Sequence, residues 1–296
     1  MRYTAENLLR RARLPPPEPG VVNRVTPADA GWSMLGVEVR RMRAGEAWSH
    51  QTDEAEAVLV LLGGRCDVRS DQGRWPELGG RAHVFDGMPH AVYLPRRTRF
   101  TVRALTEGLE LAYGWAPCDQ DHPARVVTPA DSKIELRGGG AATRQINSIV
   151  PPGFDCQRLV CVEVYTPGGN WSSYPPHKHD VHVPDGQGGV READLEEVYF
   201  FQMRRPEGYA FQRIYTDDRS IDAAVAPGHN DLVLVPAGYH PVGAAHGYDC
   251  YYLNFLAGSA QSLANTDDPA HAWVKQTWGP KDPRVPMVTH EGPRTP

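Results

Sequence analysis

The sequence predicts an all-β fold built as two tandem β-barrels, and three observations carry that reading. The chain has 296 residues, too many for one small barrel and comfortable for two. Its 29 Gly and 27 Pro make up nearly a fifth of the residues and punctuate it at short intervals. Between them lie brief runs rich in Val, Leu, Tyr and Phe: AEAVLVLL (55–62), HAVYLP (90–95), RLVCVEVY (158–165), EEVYFFQM (196–203), DLVLVP (231–236) and CYYLNFLA (250–257). Short strands separated by turn residues predict barrels or sandwiches. The third observation is a loose internal repeat. AEAVLVLLGGRCDV (55–68) followed by HAVYLPRRTRF (90–100) resembles LEEVYFFQM (195–203) followed by LVLVPAGYHPV (232–242). In each half an acidic strand precedes an apolar strand, a proline and a turn.

Taken in order, AENLLRRAR (5–13) predicts one helix, stopped by Pro15 to Pro17. The first lobe is expected over residues 1–125. The polar stretch 118–142, with Gly138, Gly139 and Gly140, supplies a connector over 126–142, and the second lobe spans 143–296. Hydrophobic residues are 41%, charged residues 23% and the formal net charge is −5, ordinary values for a soluble domain. No basic run suggests nucleic-acid binding, and no apolar stretch approaches the ~20 residues of a membrane span. The N-terminus lacks the apolar core of a secretory signal, so the cytoplasm is the expected compartment. Cys66, Cys118, Cys156, Cys161 and Cys250 are scattered and form no CxxC pair. They are expected to be packing residues, neither disulfides nor metal ligands. Exposed barrel edges predict a homo-oligomer.

The informative segment is YPPHKHD (174–180). On a strand, His177 and His179 point to the same face, so both rings can reach one point. A Gly-rich excursion (182–190) leads to LEEVYFF, where Glu196 or Glu197 offers a carboxylate. Strand alternation lets only one of the two face the interior. His240 follows a Pro-x-Gly turn in VPAGYHPV. Three imidazoles and a carboxylate would hold one divalent metal and leave positions open for substrate. His182, His229 and His246 lack this organisation and are expected in loops.

Two histidines one residue apart, a glutamate, and a later histidine after a Pro-x-Gly turn resemble the cupin superfamily. VEVYTPGGNWSSYPPHKHD (162–180), LEEVYFF (195–201), GYAFQRIYTDDRSID (208–222), LVLVPAGYHPV (232–242) and YDCYYLNFLAG (248–258) resemble the 5-deoxy-glucuronate isomerase family of myo-inositol breakdown. The related 4-deoxy-5-ketouronate isomerases place the metal-binding Glu directly before Val-Tyr-Phe. The resemblance implies a bicupin fold and Glu197, rather than Glu196, as the ligand beside His177, His179 and His240. A set of three His and one Glu, present in the second half only, suits one metal per chain, with Zn first among Zn, Mn, Fe, Co and Ni. The first lobe, with His50 but no His-x-His and no histidine in its LPRRTRF turn, is expected to have lost the site. The implied reaction is an aldose–ketose isomerisation of 5-deoxy-D-glucuronate to 2-deoxy-5-keto-D-gluconate. A metal-dependent dioxygenase and a non-catalytic sugar-acid binder are the rivals.

If Glu197 faces inward, Tyr199 and Phe201 should follow it and form an aromatic wall. A base is needed to move the proton, with Glu196, Tyr252 or a metal-bound hydroxide as candidates. Arg144 is the expected grip on the substrate carboxylate, with Lys178, Arg213 and Arg219 as the other cations. Tyr209, Gln212 and Asn254 are expected to meet sugar hydroxyls.

Overall fold

The computed structural model describes residues 2–12 and 18–294. A one-turn helix α1 (Ala5–Leu8) is followed by a short strand β1 (Leu9–Arg10). The expected helix over 5–13 is thus cut short, because Leu9 and Arg10 instead pair antiparallel with Val233 and Leu232 of the second lobe. Arg13 and the prolines Pro15 to Pro17 lie outside the described residues.

The first lobe contains β2 (Val21–Val25), β3 (Gly36–Met42), β4 (Ala47–Gln51), β5 (Ala55–Gly63), β6 (Arg65–Ser70), β7 (Gly73–Gly79), β8 (His90–Leu94), β9 (Arg99–Ala104), β10 (Leu109–Pro117) and β11 (Arg125–Val127). A six-stranded sheet runs β11-β8-β5-β10-β3-β2, and a four-stranded sheet runs β4-β9-β6-β7. The second lobe adds β12 (Lys133–Arg137), β13 (Arg144–Val150), β14 (Val160–Thr166), β15 (Trp171–Ser172), β16 (His177–Lys178), β17 (Asp180–Pro184), β18 (Val190–Met203), β19 (Ala210–Tyr215), β20 (Asp222–Val225), β21 (Leu232–Val235), β22 (Val242–Ala244), β23 (Cys250–Gly258) and β24 (Thr266–Asp267). Its large sheet runs β1-β21-β18-β23-β14-β13-β12 with β17 beside β18, and its small sheet runs β15-β22-β19-β20. The segment expected as a connector, 126–142, carries the end of β11 and all of β12. β11 completes the first lobe's sheet and β12 the second's, so the chain changes lobe between 127 and 133.

The unbroken apolar runs have a simple cause. The large sheets are buried on both faces. In β5, Ala57, Leu59 and Leu61 pack inside the first barrel with Val68, Phe100 and Val102 of its small sheet. Val58, Val60 and Leu62 turn the other way and join a core shared with Val160, Val198, Phe200 and Phe255 of the second lobe. The lobes therefore stand back to back, large sheet against large sheet. All five cysteines are free and buried, as expected of packing residues.

Candidate metal centre

Alternation along β18 decides which of two adjacent glutamates serves a site. Glu196 shares its side with Val198 and Phe200 and leaves toward the other lobe. Its carboxylate accepts the backbone N–H groups of Ser33 (2.8 Å), Met34 (2.9 Å) and Leu35 (2.7 Å). The expectation that Glu196 could act as a base is thereby corrected, because it is turned away from the cavity and committed to three amides. Glu197 points into the second barrel, and Tyr199 follows it into the cavity wall. Phe201 stacks beside Tyr199, their ring centroids 5.9 Å apart.

His179, Glu197 and His240 are all buried, and one donor atom from each lies within 4.8 Å of the others. His179 Nε2 is 3.0 Å and His240 Nε2 3.3 Å from the same Glu197 oxygen. The Nδ1 atoms face backbone carbonyls, of Leu195 at 3.1 Å and of Gly238 at 2.8 Å. A carbonyl only accepts, so both rings carry a proton on Nδ1 and turn Nε2 inward, the orientation of metal-bound histidines. His240 Nε2 is buried and has no hydrogen-bond partner among the described residues. An orphaned buried acceptor beside a carboxylate is costly without a cation, so this donor set fits a divalent metal ion. His177 stands at the edge of the cluster. Its ring centroid is 4.8 Å from that of His240 and it lines the same cavity, but it is not one of the three converging donors. Burial holds His177 and His240 down at about 3, so both rings are neutral. Burial also pushes His179 down, but its hydrogen bond to Glu197 and that group's charge outweigh it and leave His179 raised.

Gly238 makes this geometry possible. Its φ is +89°, and a Cβ there would stand 2.4 Å from the Tyr215 carbonyl oxygen. The turn after Pro236 therefore needs glycine, and it delivers His240 to the barrel interior.

The cavity measures about 430 Å³ and is walled by Arg144, Ile146, Val162, Val164, Ser173, Tyr252, Asn254 and Leu256, among others. Arg144 is buried, and one guanidinium nitrogen donates to the carbonyls of Ala142 (3.2 Å) and Tyr174 (3.1 Å). It has no carboxylate partner among the described residues. Asn254 Nδ2 is buried and likewise without a partner there. Ser173 Oγ bridges the hydroxyls of Tyr199 (3.0 Å) and Tyr252 (3.4 Å). Burial pushes the Tyr252 hydroxyl up to about 12.

Other sequence candidates lie elsewhere. Tyr209 is exposed on the outer surface beside Phe211 and Tyr248. Gln212 is buried behind the site, its amide 3.4 Å from the His240 carbonyl oxygen, and does not line the cavity. Lys178 pairs with Asp180 and Asp217, and Arg213 and Arg219 pair with Asp222. His182, His229 and His246 stay outside the cavity. Sequence reading missed the segment after β23, from which Leu263, Asn265, Asp267, Lys275 and Trp278 reach the cavity. Its anchor is the pairing of β16 with β24, which sets His177 opposite Asp267. No periodicity marks such a segment in the sequence.

Comparison with known proteins agrees with this architecture. The KduI/IolB family matches residues 8–274. A 5-deoxy-glucuronate isomerase of Geobacillus thermodenitrificans is 44% identical over 264 residues, covering 88% of this chain and 94% of that protein. The crystal structure of an IolB-like protein from Salmonella typhimurium superposes with a TM-score of 0.85 at 39% identity, covering 90% of this chain and 98% of that one. Bacillus subtilis oxalate decarboxylase, at 12% identity and a TM-score of 0.59, covers 94% of this chain and 84% of its own and shares the bicupin fold alone. Two barrels back to back, one of them carrying the His-Glu-His cluster, belong to a chain whose sequence matches one family over most of its length: the protein is a member of the KduI/IolB family.

Proposed function

We propose that this protein is a metal-dependent isomerase that converts 5-deoxy-D-glucuronate to 2-deoxy-5-keto-D-gluconate. The observation that carries the reading is the convergence of His179, Glu197 and His240, the first two of them lining a cavity that also holds an uncompensated arginine. His177, at the cluster's edge, completes the ligand set. A divalent cation there, Zn first among the candidates, supplies stabilisation of the negative charge that develops on neighbouring carbonyl and hydroxyl oxygens during enolisation.

The chain's own residues bind and orient the substrate. Arg144 binds the substrate carboxylate through the nitrogens not occupied by Ala142 and Tyr174. Asn254 Nδ2 donates to a sugar hydroxyl. Tyr252 stays protonated at neutral pH and donates from Oη to a substrate oxygen, with Ser173 and Tyr199 holding that hydroxyl in place. Tyr252 is thus an acid in this reading and not a base. The exposed Trp171, Tyr209 and Phe211 support self-association into a homo-oligomer, and five buried free thiols fit the reducing cytoplasm. Among the described residues, no helix is long and apolar enough to cross a membrane.

The test is an NMR assay on 5-deoxy-D-glucuronate with metal-replete, chelator-stripped and reconstituted protein. Turnover should vanish on stripping and return with a divalent ion. No turnover by metal-replete protein would refute the reading, and stoichiometric O₂ uptake would move the chain to the dioxygenase class.

A further inference from the structure

The first lobe has lost the metal ligands but not the cavity. Pairing fixes the equivalence of the two barrels. Ala57 of β5 lies opposite Trp115 and Leu94, as Glu197 of β18 lies opposite Leu256 and Val235. Ala57 thus occupies the position of the carboxylate ligand, and no cation site is built there. By the same register Glu38 and Tyr113 stand where the second lobe has Val162 and Asn254, and Arg40 stands where it has Val164. A barrel kept only for packing would be expected to retain apolar residues there. This one has exchanged two valines for a buried glutamate and an arginine, around a cavity of about 510 Å³.

The walls have a consistent chemistry. Glu38 is 7% exposed, pairs with Arg40 and lies 3.5 Å from Arg24. The Arg40 guanidinium sits 4.5 Å over the Trp48 ring. Trp48, His50, Tyr113 and Trp115 supply the aromatic surface. Trp115 lies against Gly36, where any Cβ would come within 2.1 Å of the indole. Burial lowers the His50 pKa, so its ring offers one donor and one acceptor. Aromatic faces beside clustered hydrogen-bond donors and acceptors suit a ligand with C–H faces and hydroxyl edges. The lining arginines are matched locally. Arg40 and Arg24 share Glu38, and Arg24 is also held by Glu18 at 2.6 Å. An acidic ligand finds no free guanidinium like Arg144.

We propose that the first lobe carries a second, metal-independent binding site for an uncharged polyhydroxylated ring of hexose size. The cavity is within the ~300–1,000 Å³ typical of small-molecule sites. Such a site would let one chain bind a neutral sugar or cyclic polyol separately from its reacting sugar acid.

The experiment titrates metal-replete protein with D-glucose and follows the Trp indole N–H resonances by NMR, assigning Trp48 and Trp115 with single Trp→Phe variants. Both resonances should shift together with one saturable, millimolar affinity. Glu38→Gln and Trp115→Ala should each weaken binding about tenfold, while their turnover of the sugar acid stays unchanged and certifies the fold. Two outcomes would overturn the proposal: Trp48 and Trp115 fail to respond to saturating D-glucose, or Glu38→Gln and Trp115→Ala bind as the parent does. D-glucuronate moving the same two resonances with higher affinity than D-glucose would overturn the assignment to an uncharged ligand.

Discussion

Glu196 and Glu197 are chemically identical neighbours that leave β18 on opposite sides, and everything about them follows from that. Glu197 meets His179 and His240, and Glu196 meets three backbone amides of the other lobe. Glu197→Gln should therefore strip the site of metal, whereas Glu196→Gln should keep metal content near one ion per chain and lose about 1–3 kcal/mol of stability. Elemental analysis and thermal melts of the two variants check this, and equal metal content in both would sink the ligand assignment. The histidines predict how the site responds to pH. His177 and His240 are held at about 3 and stay neutral across the working range. His179 is raised by Glu197, so in metal-free protein its proton competes with the cation. The sign is definite. The His179–Glu197 ion pair stabilises the metal-free fold fully below the unfolded pKa of ~6.5 and ceases to do so as pH rises through the folded value. Metal affinity runs the opposite way, rising with pH through that value and then levelling. Calorimetric titrations in buffers of different ionisation enthalpy should show release of about one proton per ion at mildly acidic pH. Release of two or more would mean that His177 or His240 also titrates.

Strands and turns explain what the sequence makes legible and what it hides. The apolar runs announced β5, β18, β21 and β23 because sheets buried on both faces need apolar residues on both. That same burial removes the polar–apolar alternation, so periodicity alone could not rank Glu196 and Glu197. The resemblance to a family motif ranked them. His-x-His and the Pro-x-Gly-x-His turn were readable because each rests on local geometry, a two-residue period and a glycine-only φ. The segment 263–278 and the true ends of α1 rest on pairing with distant strands, which no local pattern records. Tyr209 misled because hydroxyl chemistry says nothing of facing: it lies outside while Gln212, three residues on, lies inside. The turn makes a testable element. In Gly238→Ala the Cβ would collide with the Tyr215 carbonyl at a positive φ, so the turn must open and carry His240 with it. The expected result is a loss of about 1–3 kcal/mol together with reduced metal occupancy. Full occupancy with unchanged stability would show that the turn does not set the ligand.

The two lobes are bound to each other by a reciprocal device. Glu196 of the second lobe accepts the N–H groups of residues 33–35, just before β3. Glu56 of the first lobe accepts those of Gln157 (2.8 Å), Arg158 (2.6 Å) and Leu159 (2.8 Å), just before β14, and also the Tyr93 hydroxyl (3.0 Å). Each glutamate precedes by one residue the position that faces its own barrel's interior, so the repeat conserves the lock in both lobes while only the second keeps the ligand. Arg81 and Glu163 add a fully buried ion pair across the same boundary at 2.6 Å. Such a pair stabilises only when complete, since removing one partner leaves a buried charge. Together with the shared core, these contacts make either lobe a poor folding unit alone: unfolding one strands the other's glutamate and exposes the back of its large sheet. The chain should accordingly unfold in one transition despite having two barrels. Glu56→Ala removes a buried carboxylate with four hydrogen bonds and leaves three amides without their acceptor, and it should cost about 3–5 kcal/mol. The whole transition should move down with it. Two probes separate the lobes: fluorescence of Trp48 and Trp115, with the other five tryptophans replaced by Phe in parent and variant alike, reports the first, and metal release reports the second. Coincident curves in the parent and in Glu56→Ala, displaced together, are the expected result. If Glu56→Ala lowers the fluorescence transition alone and leaves metal release where it was, the lobes fold independently and the reciprocal lock contributes nothing to their union.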